Sequence, residues 1–427
     1  MELPVILFTA VLIVTFLIRI PIPLGFFAAT FVYLGFEGIA IGQAAERMIT
    51  GIHDRYVLMA VPLFIFTANV MNNGAVTEKV FGFASQLVGR ASGGLAKVNV
   101  VASIIFSGMT GSAMADAAGL GNMEIKAMRQ AGYTPEFSCA ITASSAVIGP
   151  IFPPSIPMIL YSMLSGASIG KLFLGGMIPG LLIGGALMIY ISFVARRRNF
   201  PLGESLGLAA LGRITIVAFP ALLTPVILLG GIYGGVMTPT EAGAVAGLYS
   251  LLISILVYRA MGWAALTETF LNTVRQTGTI SIIVGAASGL SFVIANERIP
   301  DALAVMMLDL TQNRYVFLLL INVVFILLGM VANQSVIMLV FIPITLPDVS
   351  AMGIDLVHFG VLIVVNMMIG LTTPPYGGLL FVTSAVSGTP LRGIIMEIWP
   401  MLVVLFTVLF LITYVPALVL TLPNMFG

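Results

Sequence analysis

The residues best suited to chemistry in this chain are hydroxyls, amides and backbone oxygens at four points where apolar segments are interrupted. The interruptions are SGMTGS at Ser107 to Ser112, GPIFPP at Gly149 to Pro154, GMVANQS at 329–335 and GLTTPPYGG at Gly370 to Gly378. A helix broken inside a membrane leaves free N–H groups at one new end and free C=O groups at the other. Such carbonyls can hold a hard cation, and the positive N-terminal ends can hold an anion. Ser103, Ser107, Ser145, Ile148 and Pro150 are therefore candidates for one sodium shell of oxygen ligands. Pro150 and Pro153 add to its carbonyl supply, since neither can donate a backbone hydrogen bond. The competing role for each serine or threonine is a bond to its own backbone.

These interruptions repeat. Gly108-Met109 recurs as Gly329-Met330, Ile148-Gly149 as Ile369-Gly370 and Pro153-Pro154 as Pro374-Pro375, each 221 residues later. Paired interruptions in the two halves of a chain mark the midplane site of a transporter. By that repeat, Gly329, Asn333, Gly370, Thr373 and Tyr376 form a second sodium shell, mostly through main-chain oxygens. Asp116 is the acid nearest the first interruption, at a depth where ionised groups are costly and functional by default. It reads either as a group that senses a cation and polarises the site, or as an aspartate bonded to nearby main chain that steadies its segment. Glu241, in Thr238-Pro239-Thr240-Glu241, reads as part of a helix cap.

The elements that carry these residues must lie in a membrane. Of 427 residues, 59% are hydrophobic and 8% charged, where a soluble protein carries about 25% charged residues. Mean hydropathy is +1.12. A net charge of +1 offers no basic face for nucleic acid, and one cysteine and two histidines exclude a disulfide framework and most metal sites. Apolar stretches near 3–18, 23–40, 57–73, 171–194, 214–232, 239–258, 278–296 and 393–418 read as spans. The first lacks the basic flank of a signal peptide and reads as a span too. The interrupted segments have halves of about 12 to 16 residues, too short to cross alone. They read as two re-entrant hairpins and two broken helices, and stretches at 41–54 and 262–276 as interfacial helices. The fold expected is an all-α polytopic membrane protein with an inverted repeat.

Orientation follows from charge. With the first hairpin entering from the cytoplasm and the second from outside, 13 of the 18 Lys and Arg fall inside, Arg196, Arg197 and Arg198 among them. That asymmetry obeys the positive-inside rule. Enzyme fingerprints such as GxSxG, HExxH and a Walker loop are absent. An ion channel would call for a ring of identical filter segments, which two unequal halves do not supply.

MTPTEAG at 237–243, SGMTGSAMADAAGLG at 107–121, IGPIFPPS at 148–155 and IGLTTPPYGG at 369–378 together resemble the large membrane subunit of tripartite ATP-independent periplasmic (TRAP) transporters. The resemblance implies sodium-coupled import of an organic anion across the bacterial inner membrane, with sodium as coupling ion and no cofactor. It implies two partners, a small four-helix membrane subunit and a periplasmic substrate-binding protein, with membrane lipid around them. It also implies an elevator. Residues 1–92 and 199–310 would be scaffold helices with interfacial arms. Residues 93–198 and 311–427 would each supply a hairpin, a broken helix and a following helix to the moving domain. The anion would sit between the hairpin tips, near Thr110, Gly111, Ser112, Ala332 and Asn333, with Asp116 beside them. GMVANQS lacks the Thr-Gly-Ser of the first tip, and no arginine stands at either tip to read a carboxylate. The runner-up is a stand-alone sodium-driven dicarboxylate or citrate carrier.

Overall fold

The computed structural model describes residues 3–18, 20–40, 56–89, 91–200, 208–299 and 311–426, with isolated positions between 41 and 50. The stretch predicted to be interfacial at 41–54 falls largely outside the described residues. Among those residues the chain is α-helical, with short 3-10 and π turns.

The first half begins with α1 (Leu3–Leu17), α2 (Ile22–Glu37), α3 (Ala60–Asn73) and α4 (Val76–Val88). A helical hairpin follows, α5 (Gly94–Thr110) returning through α6 (Ala113–Ala118) and α7 (Leu120–Gln130). A broken helix, α8 (Pro135–Ala146) and α9 (Ile156–Ser165), leads into α10 (Ile169–Arg197). The second half runs α11 (Leu208–Tyr233), α12 (Pro239–Leu252), α13 (Trp263–Asn296) and the hairpin α14 (Arg314–Val331) with α15 (Gln334–Ala351). Its broken helix is α16 (Leu356–Gly370) and α17 (Gly378–Ser387), followed by α18 (Leu391–Tyr414) and α19 (Ala417–Phe426).

The 221-residue offset governs element boundaries as well as motifs. Residues 113–130, which make up α6 and α7, map onto 334–351, the whole of α15. Packing repeats with the halves exchanged. Helix α5 packs on α8 of its own half, as α14 does on α16, whereas α6 packs on α17 and α15 on α9, each in the other half. In the same way α2 packs on α13, and α12 on α3. Each hairpin therefore joins both broken helices.

Local chemistry sets the starts of these helices. Thr134, Ser155, Ser168 and Asp355 accept hydrogen bonds from the first-turn N–H groups of α8, α9, α10 and α16. Thr238 and Glu241 form a reciprocal capping box at α12, the structural role predicted for Glu241.

Three features differ from the sequence reading. The stretch at 262–276 and the span at 278–296 form one 34-residue helix, α13. Gly278 costs a helix only about 1 kcal/mol, too little to break it. The predicted last span, 393–418, ends early because Pro416 has no N–H for the Ile412 carbonyl. The buried His358 imidazole reaches that oxygen instead, with Nε2 at 2.8 Å. The hairpin limbs are also longer than predicted. α5 has 17 residues, and α14 and α15 have 18 each, making the last two long and apolar enough to cross a membrane, like five other described helices. They are longer because the helices continue through Gly108 and Gly329, leaving only Gly111-Ser112 and Ala332-Asn333 at the turns.

Candidate functional site

Two turns and two breaks meet in the interior. The turn of hairpin 1 is Gly111, at φ +59, followed by Ser112, whose hydroxyl accepts from the Ala115 N–H at 3.4 Å. The turn of hairpin 2 is Ala332 followed by Asn333, whose side-chain oxygen accepts from the Ser335 N–H at 2.9 Å. Ser112 and Asn333 are 221 residues apart and do the same job, so the function of the cap is kept where the motif is not. A Cβ at Gly111 would lie 2.5 Å from the Pro154 carbonyl oxygen, and one at Gly378 would lie 3.1 Å from the Met114 side chain. Hairpin 1 thus touches both breaks. Hairpin 2 is pressed on the second, where a Cβ at Gly370 would meet the Gly329 Cα at 2.8 Å.

The first predicted cation group is assembled in part. The Ser103 hydroxyl on α5 donates to the Ser145 hydroxyl on α8 at 3.3 Å. Ser145 is also 2.6 Å from the Asn99 side-chain oxygen, while the Asn99 amide donates to Thr142 at 2.6 Å. Sequence reasoning missed Asn99 and Thr142. Their signal was spacing, one turn before Ser103 and Ser145 on the same faces. The Ser107 hydroxyl bonds its own backbone at Ile104, 2.6 Å away. The Ile148 carbonyl receives two N–H groups, from Ile151 and Phe152, both at 2.9 Å. Both of its lone pairs are engaged, so a cation there would have to displace one of those bonds. The Pro150 carbonyl receives the Ser155 hydroxyl.

In the second group the Gly370 carbonyl accepts the Thr373 N–H at 2.9 Å, and the Thr373 hydroxyl bonds the Ile369 carbonyl at 2.7 Å. Tyr376 is 58% exposed.

Asp116 is fully enclosed, and neither carboxyl oxygen has a hydrogen-bond partner. The reading of Asp116 as bonded to main chain is not what the structure shows. Ser103 is a polar neighbour, and the nearby acid is Glu124 on α7, equally buried and unpartnered. Thr110 adds a buried hydroxyl without a partner.

Between the tips lies a cavity of about 230 Å³, lined by Ala113 and Met114 of hairpin 1, 329–334 of hairpin 2, and Leu371 and Gly378 of the second break. Ala332 and Asn333 are in its wall. Hairpin 1 contributes Ala113 and Met114, the residues just past Thr110, Gly111 and Ser112. Three helices begin here, α6, α15 and α17, and Gly377 before α17 gives its first turn no side-chain cap. Helix N-terminal ends carry partial positive charge, and no basic side chain lines the cavity.

Residues 6–418 match the family described as "Tripartite ATP-independent periplasmic transporter, DctM component". The sialic acid TRAP transporter large permease protein SiaM of Vibrio cholerae is 41% identical over 408 residues, 95% of each chain. The C4-dicarboxylate TRAP transporter large permease protein DctM of Pseudomonas aeruginosa is 38% identical over 374 residues, 88% of each chain. The solved YdaH transporter of Alcanivorax borkumensis superposes with a TM-score of 0.62 over 86% of each chain, at 14% identity, a likeness of fold alone. This chain belongs to the TRAP transporter DctM family and is a multi-pass permease of the inner membrane rather than an enzyme.

Proposed function

We propose that this permease imports a small organic anion, a carboxylate or sulfonate such as a C4-dicarboxylate or sialic acid, in symport with sodium. The observation that carries the reading is the meeting of three helix N-termini at one cavity beside the oxygen-rich second break. The anion takes the N–H ends, near Thr110, Gly111, Ser112, Ala332 and Asn333, with Asp116 close by. Sodium takes Ser103, Ser107, Ser145 and the 148–150 turn in one half, and the oxygens of Gly329, Asn333, Gly370, Thr373 and Tyr376 in the other. With no cationic side chain in the wall, bound sodium supplies the countercharge and thereby couples the two. The names of the relatives, one for sialic acid and one for C4-dicarboxylates, support a carboxylate.

Movement is by an elevator, in which 93–198 and 311–427 slide against 1–92 and 199–310. The exchanged packing of hairpins and broken helices supports treating those two segments as one body. A small four-helix membrane subunit braces the scaffold, and a periplasmic binding protein delivers the anion.

Omission in proteoliposomes tests this. Uptake should require the sodium gradient, the small subunit and the binding protein together, and sodium-driven uptake by this chain alone would establish the stand-alone carrier instead.

A further inference from the structure

One buried polar chain lies outside both predicted sodium groups. Asn366, in the otherwise apolar middle of α16, donates its side-chain N–H to the Asn322 side-chain oxygen on α14 at 2.5 Å. Asn322 in turn donates to the Thr413 hydroxyl on α18 at 2.9 Å, and Thr413 gives its own hydrogen to the Leu409 carbonyl at 2.7 Å. This sequence of bonds fixes both amide orientations. Thr413 has spent its hydrogen and can only accept, so the Asn322 nitrogen faces it and the Asn322 oxygen faces Asn366. The nitrogen of Asn366 must then point to Asn322. Its oxygen Oδ1 is left over, wholly buried and without a partner.

An unpaired amide oxygen in an apolar interior is expensive, and its place in the fold indicates what it is for. Asn366 is one turn before Gly370, about 6 Å along the helix, and Asn322 is two turns before Gly329, about 10 Å. Between these pairs the α14 and α16 backbones come close together. Cβ atoms at Gly329 and Gly370 would stand 3.0 Å from the Met367 carbonyl and 2.8 Å from the Ile326 carbonyl. Having no side chains, the two glycines let those oxygens lie against the facing backbone, and the Met367 carbonyl, which accepts the Leu371 N–H at 3.0 Å, keeps its second lone pair. The seam therefore offers neutral oxygens from Asn322, Asn366, Ile326 and Met367, the donor set of a hard monovalent cation. The first half has a polar pair at the equivalent seam, on one matching position. The residue 221 before Asn366 is Ser145, paired with Ser103 across the equivalent α5–α8 seam.

We propose that Asn366 Oδ1 is a sodium ligand, forming with the α14–α16 seam a cation site one turn before the second break. The proposal rests on the sodium-coupled reading above. It is tested in the complete reconstituted transporter with Asn366→Leu, which matches the side chain in size without its oxygen, and Asn366→Ser, which keeps an oxygen at that position. Two quantities are read, the sodium concentration for half-maximal uptake and the rise in Tm that sodium gives the purified complex. Asn366→Leu should raise the first at least tenfold and abolish most of the second, with Asn366→Ser between it and the parent. Should Asn366→Leu not fold, the Asn366→Ser shift decides. Variants that lose Tm in sodium-free buffer yet keep the parent's half-maximal sodium and Tm rise would overturn the site, leaving Asn366 a hydrogen-bonding residue. A parent without sodium dependence would overturn the sodium-coupled reading itself, and this site with it.

Discussion

Gly111→Ala separates the role of the hairpin turn from its backbone strain. Gly111 is at φ +59, and a Cβ there would lie 2.5 Å from the Pro154 oxygen, 3.2 Å from the Pro154 carbonyl carbon and 3.3 Å from the Ile156 nitrogen. Two penalties therefore add. The left-handed backbone costs an alanine about 1–2 kcal/mol, and the contact is with main chain, so no side chain can swing aside. Relief requires hairpin 1 to withdraw from the first break by roughly an ångström, the distance from 2.5 Å to an ordinary contact of about 3.5 Å. Gly166→Ala is the matched control, at φ +74 at the end of the broken helix that Gly111 contacts, with open space around its Cβ. Both variants should lose Tm, Gly111→Ala by more. Only Gly111→Ala should lose most sodium-driven uptake per folded molecule, measured with the partner subunits in proteoliposomes. Equal Tm and equal uptake for the two variants would refute the claim that contact between turn and break builds the site.

Asp116→Asn removes an ionisable carboxyl whose oxygens have no hydrogen-bond partner, so uptake should fall tenfold or more while the yield of folded protein stays within about twofold. Parallel losses in both would assign Asp116 to folding. Thr373→Ala should raise half-maximal sodium several-fold, and an unchanged value removes its hydroxyl from the second shell. His358→Phe leaves the Ile412 carbonyl buried and unpaired, a cost of about 1–3 kcal/mol, whereas His358→Gln keeps a donor. Thermal unfolding should rank the parent above Gln and Gln above Phe, and equal Tm for Gln and Phe would exclude the hydrogen bond as the cause.

The parts of the fold legible in the sequence were those set by local chemistry and by length. Pro-Pro pairs and glycines placed the breaks, the shared offset of 221 paired them, and Thr238 with Glu241 announced a cap. Helix continuity was harder to read, because it depends on sums of small terms. Gly278 resembles an interruption but does not end α13, whereas Pro416 does end α18, and the carbonyl it leaves is taken by His358. The site was legible as a list of oxygens and illegible as pairings. Asn99, Thr142, Asn322 and Asn366 are scattered in sequence, and only packing across helix seams brings them together. Likewise, nothing local to Ile148 shows that its carbonyl closes two turns at once.

One arrangement of breaks and helix ends should bind sodium and anion together. Simultaneous tracer flux of radiolabelled sodium and a labelled C4-dicarboxylate or sialic acid, in the complete reconstituted transporter, tests it directly. Sodium and anion should enter in a fixed ratio, and each flux should vanish when the other solute is withheld. Anion uptake that continues at full rate without sodium, or sodium entry indifferent to the anion, would contradict it.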